Sequence, residues 1–134
     1  MTLQTIKQYS IIYNKLLNPI NESDVDIQRE LRSIKQLEIN VSYPFLLPVY
    51  DDYNNSQIDK NTFINVLRLI QTYTFRRFIV GLPTNALNKI FMTLYSDVDK
   101  SDYLKSLEKA LVKKKGVQRL PNNTEVETAL KDKD

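Results

Sequence analysis

The sequence predicts an all-α fold, a single irregular bundle of about six or seven helices joined by short loops. Three observations predict it. Apolar residues recur at steps of three and four along nearly the whole chain, the spacing that lines one face of a helix. Only two glycines, Gly81 and Gly116, occur in 134 residues, too few for a protein rich in tight hairpins. Breaker and capping residues punctuate runs of helical length.

The first run, Leu3 to Leu17, sets Ile6, Tyr9, Ile12, Tyr13, Leu16 and Leu17 on one stripe, and Pro19 stops it. The second, from about Ser23 to Glu38, carries Ile27, Leu31, Ile34 and Leu37, with acids crowding its start, where they complement the helix dipole. A short, kinked helix is expected from Pro44 to Tyr53. Pro44 suits a first turn, whereas Pro48 removes an N–H from the next one. The stretch INVSY before it is compatible with an extended segment, but a lone strand has no partner in this chain.

Asp59 is the expected N-cap of the longest helix, Lys60 to Val80, which Gly81 ends in a left-handed conformation. Thr84 or Asn85 caps the next helix after the Pro83 turn, and that helix runs to about Tyr95. Another spans Ser101 to Lys114, capped by Asp99 or Ser101 and ended by Gly116. It turns Tyr103, Leu104, Leu107 and Leu111 inward. Asn122 with Glu125 three residues on makes a capping box for the last helix, and residues 131–134 are expected to fray.

Composition removes several function classes. There is no cysteine and no histidine, hence no thiolate nucleophile, Ser-His-Asp triad, thiolate zinc site or imidazole metal site. Two glycines do not make a glycine-rich phosphate loop. Asp97, Asp99 and Asp102 are close in sequence but lack the central glycine and bidentate Glu of a calcium loop, so no metal is expected. The start of the chain carries no secretion-like run, and a cytoplasmic location is the expectation. A net charge of +3 permits nucleic-acid binding without requiring it.

Two constellations stand out. Arg76 and Arg77 sit among Phe75, Phe78, Ile79 and Val80, making this helix end apolar all round, the pattern expected of an internal helix end. Arg77 falls on the stripe of Phe63, Val66, Leu67, Ile70 and Thr74, while Arg76 falls off it. A buried guanidinium needs a partner. The expected one for Arg77 is Asp51 or Asp52, with Asp97 and Asp99 next, and Arg76 is left to meet a partner or phosphate. The second constellation is basic: Lys105, Lys109, Lys113, Lys114, Lys115 and Arg119 against the single acid Glu108. It reads either as a solvated helix C-terminus or as a contact to a nucleic-acid backbone.

The stretch YPFLLPVYDDYNNSQIDKNTFINVLRLIQTYTFRRFIVGLPTNALNKIF, and more weakly RLPNNTEVETAL, resembles the helical region in the middle of GmrSD-like proteins. That bacterial family holds modification-dependent restriction and phage-defence nucleases. Its members join a nucleotide-handling ParB/sulfiredoxin-like domain to a His-Me-finger nuclease domain. The family's Asp-Gly-Gln-Gln-Arg run is absent, and a His-Me finger cannot exist without histidine. The resemblance therefore implies a piece excised from a larger protein: a non-catalytic scaffold or coupling domain without a cofactor, partnered by flanking nucleotide-binding and nuclease domains. The alternative is a DNA-backbone-binding module on the Lys105–Arg119 face.

Overall fold

The computed structural model describes residues 2–132, and among them seven α-helices and no strand. They are α1 (Leu3–Leu17), α2 (Val25–Gln36), α3 (Tyr43–Asn54), α4 (Lys60–Val80), α5 (Asn85–Thr93), α6 (Tyr103–Lys113) and α7 (Asn123–Lys131). The helix α4 is the axis of the bundle. Its Phe63, Val66, Leu67, Ile70 and Tyr73 are buried, and α2, α3, α6 and α7 pack around it. Next to it α3 is apolar on most sides, burying Phe45, Leu46, Val49 and Tyr50 between α1, α4 and α5. The helix continues past Pro48. The carbonyl that loses a donor there belongs to Pro44, an exposed residue, where water can replace the missing bond.

Caps explain most boundaries. Asp59 accepts from the Thr62 N–H at 2.8 Å, and Asp24 accepts from the Asp26 and Ile27 N–H groups at the start of α2. At Gly81, φ is 83°, and the Leu82 N–H reaches back to Arg77 O while the Gly81 N–H reaches Phe78 O, a Schellman closure. A methyl group at Gly81 would meet nothing within 4 Å, so backbone strain alone sets the cost of Gly81→Ala. That cost is expected to be about 1–2 kcal/mol in urea denaturation. An unchanged midpoint would mean the turn relaxes to negative φ.

Several boundaries depart from expectation. The residues Asn40–Ser42 form a 3-10 turn rather than an extended segment. Thr84 sits at the N-cap of α5 with its backbone in the αR region and no side-chain capping bond, and Asn85 is already helical. The N-cap of α6 is Asp102, while Asp99 instead folds over Ser101, accepting from its N–H and hydroxyl. Gly116 does not end α6. Lys114 is already extended, and Gly116, with φ 63°, opens the 3-10 turn Gly116–Gln118. Of the tail expected to fray, Lys131 is still helical and the Asp132 N–H bonds Thr128 O; residues 133 and 134 lie outside the described residues.

The last helix, α7, buries no side chain fully, and polar contacts hold it in place. Asn122 and Glu125 form the capping box, and Arg119 Nη2 lies 2.6 Å from Glu125 Oε1. Arg119, and after it the Asn122 N–H, hold the Glu125 carboxyl below the usual glutamate range. Because the folded value lies below the unfolded one, the contact stabilises fully above about pH 4.3 and is lost as pH falls through the folded value. Hydrogen-exchange protection of α7, taken relative to intrinsic exchange at the same pH, is therefore expected to fall on acidification before the rest of the bundle opens. Glu125→Gln should abolish that pH dependence.

Candidate functional site

The C-terminal turns of α4 carry three side chains that hold one irregular segment. Residues 114–122 connect α6 to α7, and much of this segment lacks the internal ladder that would satisfy its carbonyls. Tyr73 donates its hydroxyl to Gln118 O at 2.7 Å, Arg77 Nη1 donates to Arg119 O at 3.1 Å, and Arg76 Nη1 donates to Pro121 O at 3.0 Å. Arg76 Nη2 also reaches Asn123 Oδ1 at 2.7 Å. Residues 76 and 77 flank the line of residue 73 by i+3 and i+4 spacing, and the reach of the two arginines lets three donors meet one passing segment of chain.

This arrangement overturns the expected Arg77–Asp clamp. Arg77 is buried, only 2% exposed, but its guanidinium is held by the carbonyls of Arg119 and Pro83, the latter at 3.0 Å, and stands 5.4 Å from the Tyr73 ring centroid. Asp52 is buried elsewhere, accepting from the Tyr95 and Tyr103 hydroxyls at 2.8 Å each, with Lys100 Nζ at 3.6 Å. Asp51 accepts from its own helix, from Asn55 at 3.3 Å. Adjacent carboxylates on one helix point about 100° apart, and here they serve different neighbours. Arg76, expected to stay available to a partner, is instead committed to the start of α7.

The basic face is also less basic than its sequence. Arg119 is turned inward to Glu125 and to Gly116 O. Lys109, Lys113 and Lys114 line a shallow groove together with Asp97, Asp99 and Asp102. Bonds from Ser101 are the main reason the Asp99 carboxyl lies below its ordinary range, and Lys109 lowers it further. Lys105 and Lys115 are exposed. No cluster of three or more metal-ligating side chains occurs among the described residues, and no helix of the described residues is long and apolar enough to cross a membrane.

The other side of the α4 terminus opens onto a cleft of about 800 Å³ between the end of α2, α4 and α5. Leu37, Val41, Phe75, Phe78, Leu82 and Leu87 supply apolar wall, while Glu38, Asn85 and Asn88 stand among its polar lining. Phe75 and Phe78 are more than half exposed, so this helix end is not internal all round as its composition suggests; its apolar side chains face a cleft. Thr74 and Arg77 also line it. Among the described residues, Thr74 Oγ1 and Arg77 Nε are buried atoms without a hydrogen-bond partner. Sequence reading missed this site because its walls come from three separated segments. The one local signal was Phe75 and Phe78 lying off the core stripe of α4. No protein-family model, no curated protein and no solved structure matches the chain.

Proposed function

We propose that this chain is a helical scaffold and coupling domain of a GmrSD-like, modification-dependent restriction system acting in the bacterial cytoplasm against phage DNA. In this reading it carries no catalytic residue or cofactor of its own and positions a nucleotide-handling domain relative to a nuclease domain. The observation that supports it is the α4 terminus. The FRR and GLPTN residues that carry the family resemblance are the ones that tie α4 to the turn before α5 and to the connector before α7. A coupling domain transmits position, and a helix end locked to two other segments through backbone carbonyls is suited to that. The coding sequence on either side provides the test. The reading requires an Asp-Gly-Gln-Gln-Arg run on one side and a His-Me-finger motif on the other, in the same frame or the adjacent gene. Finding neither overturns it.

DNA-backbone contact through Lys105–Arg119 is the weaker reading, because Arg119 is engaged by Glu125 and three of the lysines share a groove with three aspartates. It requires duplex binding that falls steeply with salt. A titration at low ionic strength that shows no binding removes it.

A further inference from the structure

We propose that the cleft between α2, α4 and α5 is a binding site for an amphiphilic monocarboxylate, a ligand with one carboxylate head and an aliphatic or aromatic body. The inference is independent of the restriction reading and stands on the cleft alone. Its volume, about 800 Å³, lies in the range that takes a small organic ligand. Its walls are predominantly apolar, and Leu37 and Phe75 are about half exposed, so apolar surface is available to cover.

The polar groups of the floor set the ligand's head. Arg77 is buried, the acceptors of its guanidinium are neutral carbonyls, and among the described residues no carboxylate forms an ion pair with it. Its Nε–H has no acceptor, and the Thr74 hydroxyl has no partner. Thr74 and Arg77 are three residues apart on one helix and lie on the same face. Two donors without partners on one helix face, with a charge held by neutral carbonyls, suit the two oxygens of a carboxylate. A phosphate dianion brings more oxygens than these donors can satisfy and a larger desolvation cost in an apolar cleft. Both atoms are shielded from water in the free chain, so a wall side chain must swing aside for the head to enter. Phe75, a half-exposed lining residue next to Thr74 in sequence, is the side chain assigned to this movement in the proposal. Glu38 lies at the rim, where its carboxylate opposes an incoming anion and tunes affinity downward.

The full chain, titrated with octanoate, octanol, octyl phosphate and acetate by calorimetry and amide NMR, tests this. Octanoate is expected to bind saturably, about tenfold or more tighter than octanol, with acetate and octyl phosphate weaker still. Its shifts should centre on residues 37–41, 74–78 and 82–88. Thr74→Val should bring octanoate down to the octanol level without unfolding the chain, and Glu38→Gln should tighten octanoate and leave octanol unchanged. Equal binding of octanoate and octanol, tighter binding of octyl phosphate, shifts mapping elsewhere, or no octanoate binding would each overturn the proposal.

Discussion

Arg77→Ala is expected to lower the unfolding free energy by about 4 kcal/mol, a large share of the roughly 5–15 kcal/mol of an ordinary domain. Two losses add. Truncating a buried side chain this long leaves a cavity, worth about 2–5 kcal/mol in well-packed cores. The Arg119 and Pro83 carbonyls also lose charge-assisted donors, each worth about 1.5–3 kcal/mol. Relief from burying the guanidinium offsets part of that sum. Arg77→Met separates the contributions. It keeps the packing of the stem and removes the charge, so it should cost roughly half as much. Asp51→Ala is the contrast. If Asp51 were the counter-charge of Arg77, its loss would be as severe, whereas a residue bonded only to Asn55 should change stability by no more than about 0.5 kcal/mol. Equilibrium urea melts of the three variants measure this, with hydrogen exchange reporting whether residues 116–122 loosen first. A cost below about 1 kcal/mol for Arg77→Ala would show that the connector is held by Tyr73 and Arg76 without it.

The contrast between Arg77 and Asp51 also shows what the sequence made legible. Helical periodicity located α1, α2, α4 and α6, because one buried face leaves a 3.6-residue imprint whatever it packs against, while prolines and a capping box marked α3 and α7. The bounds of α1 and α4, the Asp59 cap, the Gly81 stop and the Asn122–Glu125 box were all readable, since each depends on residues a few positions apart. Two other helix ends use the same closure without its glycine. Glu38 and Ser56 have φ of 57° and 60°, with Ile39 N–H bonded to Ile34 O and Gln57 N–H to Asp52 O. There the tertiary context imposes a left-handed residue that the sequence does not advertise. That Arg77 is buried was legible from its place on the stripe. Its partners were not, because a carbonyl acceptor belongs to every residue type and leaves no trace in side-chain identity. Charge alone selects carboxylates, but Asp51 accepts from Asn55, and Asp52 is held by the tyrosines Tyr95 and Tyr103.

Those tyrosines make alkaline pH the condition under which this fold should fail. Tyr50 and Tyr103 are buried, and their hydroxyls donate to the carboxylates of Glu22 and Asp52. Burial first, and then the adjacent carboxylate, push both phenols far above the ordinary tyrosine range, and half-buried Tyr95 on Asp52 is pushed up in the same way. The proton is retained in the folded chain and released from the unfolded one above about pH 10, so the folded state binds more protons and stability falls as pH rises. The contribution is whole below the unfolded value and declines until the folded value is reached. Each fully retained proton gives a slope of about 1.4 kcal/mol per pH unit, so Tyr50 and Tyr103 together predict a loss of roughly 3 kcal/mol per unit. Lys60, raised by its bonds to Asp26 and Asp24, adds in the same direction from the surface. Urea melts at stepped alkaline pH measure the slope. Tyr103→Phe should remove about 1.4 kcal/mol per pH unit of it while leaving Asp52 its bonds to Tyr95 and Lys100. Tyrosinate absorbance from the buried phenols of Tyr43, Tyr50, Tyr73 and Tyr103 should appear only with loss of helical signal. Complete ionisation of all eight tyrosines while the helices persist would show that the two carboxylates do not hold these phenols neutral.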